Sequence, residues 1–147
     1  MMTTKNLSSE EREQYTLPAT GSEFSEQCAL LRWAAHVQVE YPVLRWLYHV
    51  PNGELRHKSV AKRLRAAGVK AGVPDLCLPV PADGKHGLYL ELKADGGRPT
   101  PDQRTWLRYL ESAGYEVVLA VGWIAAARAI LTYLGADAAT IDRLVGR

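Results

Sequence analysis

Hydrophobic positions fall into two spacings along this chain, and the switches between them outline its elements. From about Glu23 to Glu40, Leu30, Trp33 and Val37 follow Glu26 at steps of four, three and four. That spacing predicts a helix with one inward face, which Glu26 shares. Ser22 is its expected N-cap and Pro42 lies just beyond its end. Leu44 to Val50 alternates, with Trp46, Tyr48 and Val50 on one side, and reads as a strand closed by the Pro51-Asn52-Gly53 turn. A basic helix is expected from His57 to Ala67, stopped by Gly68. Asp75–Val80 and Leu88–Lys93 read as two strands, and the polar loop between them makes a hairpin centred near Asp83 or Gly84 the simplest link. Thr100-Pro101-Asp102-Gln103 opens the next helix with an N-cap, a proline at the first position and a capping-box glutamine. Tyr115–Val121 reads as a buried strand, Trp123–Leu134 as a helix ending at Gly135, and Ala138–Val145 as a last short helix. The alternation predicts one α/β domain over 22–147, a mixed β-sheet flanked by helices. Residues 1–21 are polar and predict an N-terminal arm.

Composition narrows the function. A chain of 147 residues can bury one core unaided. Two scattered cysteines, Cys28 and Cys77, argue against a structural zinc site and for a reducing, cytoplasmic setting, and nothing at the N-terminus resembles a leader. No apolar run approaches the roughly 20 residues of a membrane span. The net charge of +2 conceals an asymmetry: residues 27–147 hold 16 basic and 11 acidic groups. Six Lys or Arg and no acid lie between Leu55 and Pro74. That segment is either a solvated helix face or a positive surface for a polyanion such as DNA, through Lys58, Lys62, Arg63 and Arg65.

The candidate chemistry lies on the hairpin. Strand alternation points Tyr89, Glu91 and Lys93 one way and Leu88, Leu90 and Leu92 into the core. A hairpin centred near Asp83 or Gly84 sets Asp75 opposite Glu91 or Leu92. Two adjacent carboxylates repel when both are ionised, and a divalent cation relieves that repulsion. An all-oxygen set of Asp75, Glu91 and the Leu92 carbonyl suits Mg²⁺ or Mn²⁺. Such a cation can polarise a phosphate and acidify a water, while Lys93 orients that water or meets the growing charge. Taken singly, Asp after Pro is an ordinary turn residue and Glu-x-Lys an ordinary surface pair. The apolar surroundings of all three set this combination apart.

The succession Gly72-Val73-Pro74-Asp75 and Gly87-Leu88-Tyr89-Leu90-Glu91-Leu92-Lys93 resembles the PD-(D/E)XK nuclease superfamily. Pro51-Asn52-Gly53, Ala61-Lys62-Arg63-Leu64, Pro101-Asp102-Gln103 and Gly114-Tyr115 make it similar to the virus-type replication-repair nucleases, over roughly Glu26 to Leu134. The resemblance implies a restriction-endonuclease-like core and a Mg²⁺- or Mn²⁺-dependent phosphodiesterase. Asp75, Glu91 and the Leu92 carbonyl would bind metal and Lys93 would be the catalytic lysine. A helix glutamate often completes this site; Glu26 is the best match and Glu23 the second. Gln103 is either near the site or only half of a capping box, and Asn52 either a DNA contact or only a turn residue. Stand-alone members resemble dimeric enzymes that cut four-way junctions, so a homodimeric Holliday-junction resolvase of a bacterial or phage-infected cell is expected. A flap or restriction-type nuclease and a catalytically inert nucleic-acid-binding module are the alternatives. Trp33, Trp46, Trp106 and Trp123 are expected to pack, Cys77 to be a small buried residue, and none of the four histidines has ligand spacing.

Overall fold

The computed structural model describes residues 21–52 and 58–146. Residues 1–20 of the expected N-terminal arm, Gly53 of the turn and His57 of the basic helix lie outside them. Helix α1 (Glu23–Val37) starts at a reciprocal capping box between Ser22 and Ser25 and buries Leu30, Trp33 and Val37. It ends three residues before Glu40, because Pro42 disfavours helical backbone at Tyr41 and the chain turns there.

Residues 44–50 depart from the expected strand. Pro42–Trp46 forms a 3-10 turn, and only Tyr48–His49 (β1) is strand. The buried residues are Leu44 and Leu47, three apart as a 3-10 turn requires, rather than the alternating set. Trp46, expected in the core, is 56% exposed, with the Arg45 guanidinium 5.0 Å from its ring centroid.

The rest follows the expected order: α2 (Lys58–Ala66), β2 (Leu76–Leu78), β3 (Leu88–Lys93), α3 (Pro101–Ser112), β4 (Glu116–Val121), α4 (Trp123–Tyr133) and α5 (Ala138–Val145). The sheet order is β1-β2-β3-β4, antiparallel except for the parallel β3–β4 pair, which α3 connects. Leu76, Leu78, Leu88, Leu90 and Leu92 join residues of α1 and α4 in the core. Helix α3 covers part of the opposite face through Leu110 and Gln103. Strand β4, expected to be buried, is an edge strand: Leu119 and Val121 are 47% and 52% exposed, and only Ala120 is buried.

The hairpin register bears directly on the site. At its tip Ala82 faces Lys85 across Asp83 and Gly84, both at positive φ, as a tight two-residue turn requires. Continued unbroken, that pairing would set Asp75 opposite Leu92. The ladder instead pairs Leu78 with Leu88 and Leu76 with Leu90, one residue out of step with the tip. The bulge brings Asp75, one residue before the ladder, opposite Glu91.

Candidate active site

Asp75 precedes β2 and is held from both sides. Its main-chain carbonyl accepts from the Val50 amide at 2.8 Å, and His49 Nδ1 lies 2.9 Å from the same oxygen. Its Oδ2 accepts from the Leu92 amide at 2.8 Å. The N–H and C=O of one strand residue point to the same edge, so the Leu92 carbonyl also faces the Asp75 side, while the Leu92 side chain stays in the core.

Glu91 is fully buried. Its Oε1 accepts from Gln103 Nε2 at 2.6 Å and from Lys93 Nζ at 2.9 Å. Its Oε2 is buried with no hydrogen-bond partner. An orphaned carboxylate oxygen in the interior is costly, and it marks a place where a cation would be favoured. Burial, then repulsion from Asp75, pushes the Glu91 pKa up to about 7, against the opposing pull of Lys93. Burial also raises Asp75, partly offset by the Leu92 hydrogen bond. For Lys93, burial works against the charge, but the hydrogen bond and charge of Glu91 outweigh it and the pKa lies above its ordinary value.

Of the two helix carboxylates, Glu23 is the one at this site: its Oε1 lies 3.4 Å from Lys93 Nζ. Glu26 does turn inward, as its helical spacing implies, but meets a different partner. Its Oε2 accepts from the Trp123 amide at 2.8 Å and so caps the N-terminus of α4. Periodicity could orient Glu26 but could not show that an unsatisfied helix end waits there. Glu23, at the first position of α1, carries no sequence signal beyond the helix dipole. His49 likewise has none, because β-pairing alone brings it to Asp75.

The two readings of Gln103 hold together. Its Oε1 accepts from the Thr100 amide at 2.8 Å in the capping box, leaving Nε2 for Glu91. Asn52 donates from Nδ2 to the Val73 carbonyl at 3.0 Å. Glu23, Asn52, Asp75, Asp102 and Gln103 line one cleft of about 370 Å³. Lys58, Lys62, Arg63 and Arg65 all lie exposed on α2, a helix with no buried residue, and none lines this cleft.

Among the described residues no three His, Cys, Asp or Glu side chains converge to hold a metal alone. The oxygens available are those of Asp75, the free Oε2 of Glu91 and the Leu92 carbonyl. A small hard cation that keeps several waters and takes one or two carboxylates fits that set. No helix among the described residues is long and apolar enough to cross a membrane.

A scan against protein families matches residues 8–123 to the VRR-NUC domain, beginning inside the segment expected to be an arm. A solved structure described as a VRR_NUC domain protein aligns with a TM-score of 0.66 at 28% identity, over 78% of this chain and 88% of that one. No functionally curated protein matches. The matched span takes in β1 to β4 with Asp75, Glu91, Lys93 and Gln103, and the chain therefore belongs to the VRR-NUC domain family, a family of nucleases.

Proposed function

We propose that this protein is a Mg²⁺- or Mn²⁺-dependent endodeoxyribonuclease that hydrolyses phosphodiester bonds in branched DNA, as a homodimeric Holliday-junction resolvase. The observation that carries the reading is the buried Glu91, within reach of the Asp75 charge, its Oε2 unpartnered and its Oε1 held by Lys93 and Gln103. Asp75, Glu91 and the Leu92 carbonyl would hold the cation, which supplies Lewis-acid polarisation of the phosphate and a more acidic bound water. Gln103 fixes the rotamer of Glu91 by occupying Oε1, so that Oε2 remains the free ligand. Lys93 keeps its proton at neutral pH and therefore acts as a positive charge beside the phosphate, not as the general base. Glu23 holds the Lys93 ammonium from the solvent side. The exposed cations of α2 give affinity for the phosphate backbone without sequence preference. The dimer reading is favoured by β4, an edge strand whose exposed Leu119 and Val121 are suited to a second copy.

The test is cleavage of labelled four-way junctions beside flap, splayed-arm and linear DNA, with Mg²⁺ or Mn²⁺. The expected result is metal-dependent cutting with the junction preferred. Lys93→Ala should lose about 100-fold or more in rate while keeping DNA affinity, as removal of one transition-state cation does. Binding of every substrate with cutting of none, in either metal, overturns the enzyme reading. Cutting of linear DNA as fast as junctions overturns the resolvase part alone.

A further inference from the structure

A second cleft lies against the active-site cleft and shares Asn52 and Val73 with it. It has a volume of about 370 Å³, the scale of a small-ligand site. Its chemistry differs from its neighbour's. The lining has no carboxylate; it includes Val50, Val69, Val73, Trp106 and Lys70, with the turn that follows α2 at Ala67 and Gly68. The Asn52–Val73 hydrogen bond at 3.0 Å forms the wall between the clefts.

Trp106 is fixed for display. Its Nε1 donates to the Ala71 carbonyl at 3.1 Å, and Tyr109 packs against it edge-on, with centroids 6.2 Å apart and planes at 85°. The indole is half-buried and Tyr109 is 60% exposed. An immobilised indole in an apolar slot, with Lys70 at its lining and the cations of α2 beyond, combines a planar stacking surface with positive charge. Those are the two elements of a site for an unstacked base on a charged backbone. Within a continuous duplex a base reaches such a slot only by unpairing and unstacking, at a cost of a few kcal/mol that is least at the exchange point of a branch, at a gap or at an end.

We infer that this cleft receives one unpaired nucleobase of the strand whose phosphate enters the cleft lined by Asp75 and Gln103, with Trp106 as the stacking surface and Lys70 on an adjoining phosphate. The inference rests on the nuclease reading and extends it: the two clefts together select DNA that has an unstacked nucleotide beside the scissile bond.

The experiment measures binding of the full-length protein in EDTA, so that no cutting intervenes. The probes are a splayed-arm DNA carrying 2-aminopurine as the first unpaired base, the same DNA with an abasic site there, and a plain duplex. Wild type should bind the base-bearing arm about tenfold more tightly than the abasic one, with quenching of 2-aminopurine. Trp106→Phe keeps a ring but lacks the N–H that anchors the indole to Ala71, and should retain a preference for the base-bearing arm with weaker quenching. Trp106→Leu should lose both while keeping duplex affinity. Lys70→Ala should weaken the splayed-arm complex about fivefold more than the duplex. Equal affinity of wild type for base-bearing and abasic arms, or loss of that preference in Trp106→Phe as complete as in Trp106→Leu, overturns the base site and leaves the nuclease reading intact. Absence of binding to any of the three DNAs overturns both.

Discussion

Glu91 holds the least comfortable charge in the described protein, and its discomfort has a measurable pH signature. Its folded pKa of about 7 lies well above the ordinary carboxylate value of 4.5. Between those values the folded chain binds a proton that the unfolded chain has released, so stability falls as pH rises. The contribution is intact below about pH 4.5 and lost once pH passes 7. Its size is about 3 kcal/mol at most. Asp75, also raised, acts in the same direction, while Lys93 keeps its proton throughout this window. Thermal melts in EDTA should therefore show a Tm that declines from pH 5 to 7.5. Glu91→Gln should flatten the decline, and Mg²⁺ should raise the wild-type Tm more at pH 7.5 than at pH 5.5. A Glu91→Gln profile parallel to wild type would mean that Glu91 does not titrate in this range. Much at this scale was legible in the sequence. The alternation of β3 sets Glu91 and Lys93 on one face, and the hairpin signal brings Asp75 within a residue of its place. Which carboxylate of α1 reaches Lys93 was not legible, because it depends on the end of α4, nearly 100 residues along the chain.

The elements differ in how far their own residues decide their form. Helices α1, α3, α4 and α5 carry strong caps or amphipathic spacing, and their observed bounds lie close to those expected. The 42–50 segment does not, since Leu44 and Leu47 can be read as a turn spacing or as neighbours of an alternating set. Contact with the core decides between them. Between α2 and β2, the 68–74 segment positions Asp75 by docking on the first turn of α3. Gly72 makes that docking possible: at φ +87°, an added Cβ would lie 2.6 Å from the Asp102 carbonyl carbon and 2.7 Å from its Cβ. Gly68 has a similar φ of +101° but open space around it. Each alanine substitution incurs left-handed strain of about 1–2 kcal/mol. Only Gly72→Ala adds the collision with α3, so it should cost about 3 kcal/mol and lower Tm by roughly 5–10 °C. Cutting activity should fall with it, because Asp75 shifts relative to Glu91. Gly68→Ala should lose only that strain, about 1–2 kcal/mol, and leave the placement of Asp75 against Glu91 unchanged. Equal Tm values for the two variants would show that the Gly72–Asp102 approach is not a constraint.

At the scale of the whole molecule, the sequence carried the α/β class and the order of elements along the chain, but not which strand closes the sheet. That is settled by the parallel placement of β4 through the α3 connection, and it leaves an apolar strand at an edge. The proposed homodimer would use the same geometry. The Glu116 amide donates to Gly87 and the Gly122 amide to Lys93, so the even-numbered amides of β4 face β3. Alternation then turns the amides of Val117, Leu119 and Val121 to the open edge. Leu119 and Val121 share the face of Glu91 and Lys93, with which they are in register. Antiparallel pairing of β4 with its twofold copy would continue the sheet and bring two active sites to one junction. Proline at position 119 removes an outward amide and leaves the ladder to β3 intact. Leu119→Thr instead removes apolar area and adds no charge beside Glu91. In light scattering after gel filtration, wild type should run as a dimer and Leu119→Pro as a monomer with a melt of similar cooperativity, while Leu119→Thr should dissociate at higher concentration than wild type. Leu119→Pro should still nick single strands but lose paired, symmetric incision of four-way junctions. A wild-type monomer at the concentrations that resolve junctions, or a Leu119→Pro dimer, would remove β4 from the assembly and leave the metal site to be explained by one chain acting alone.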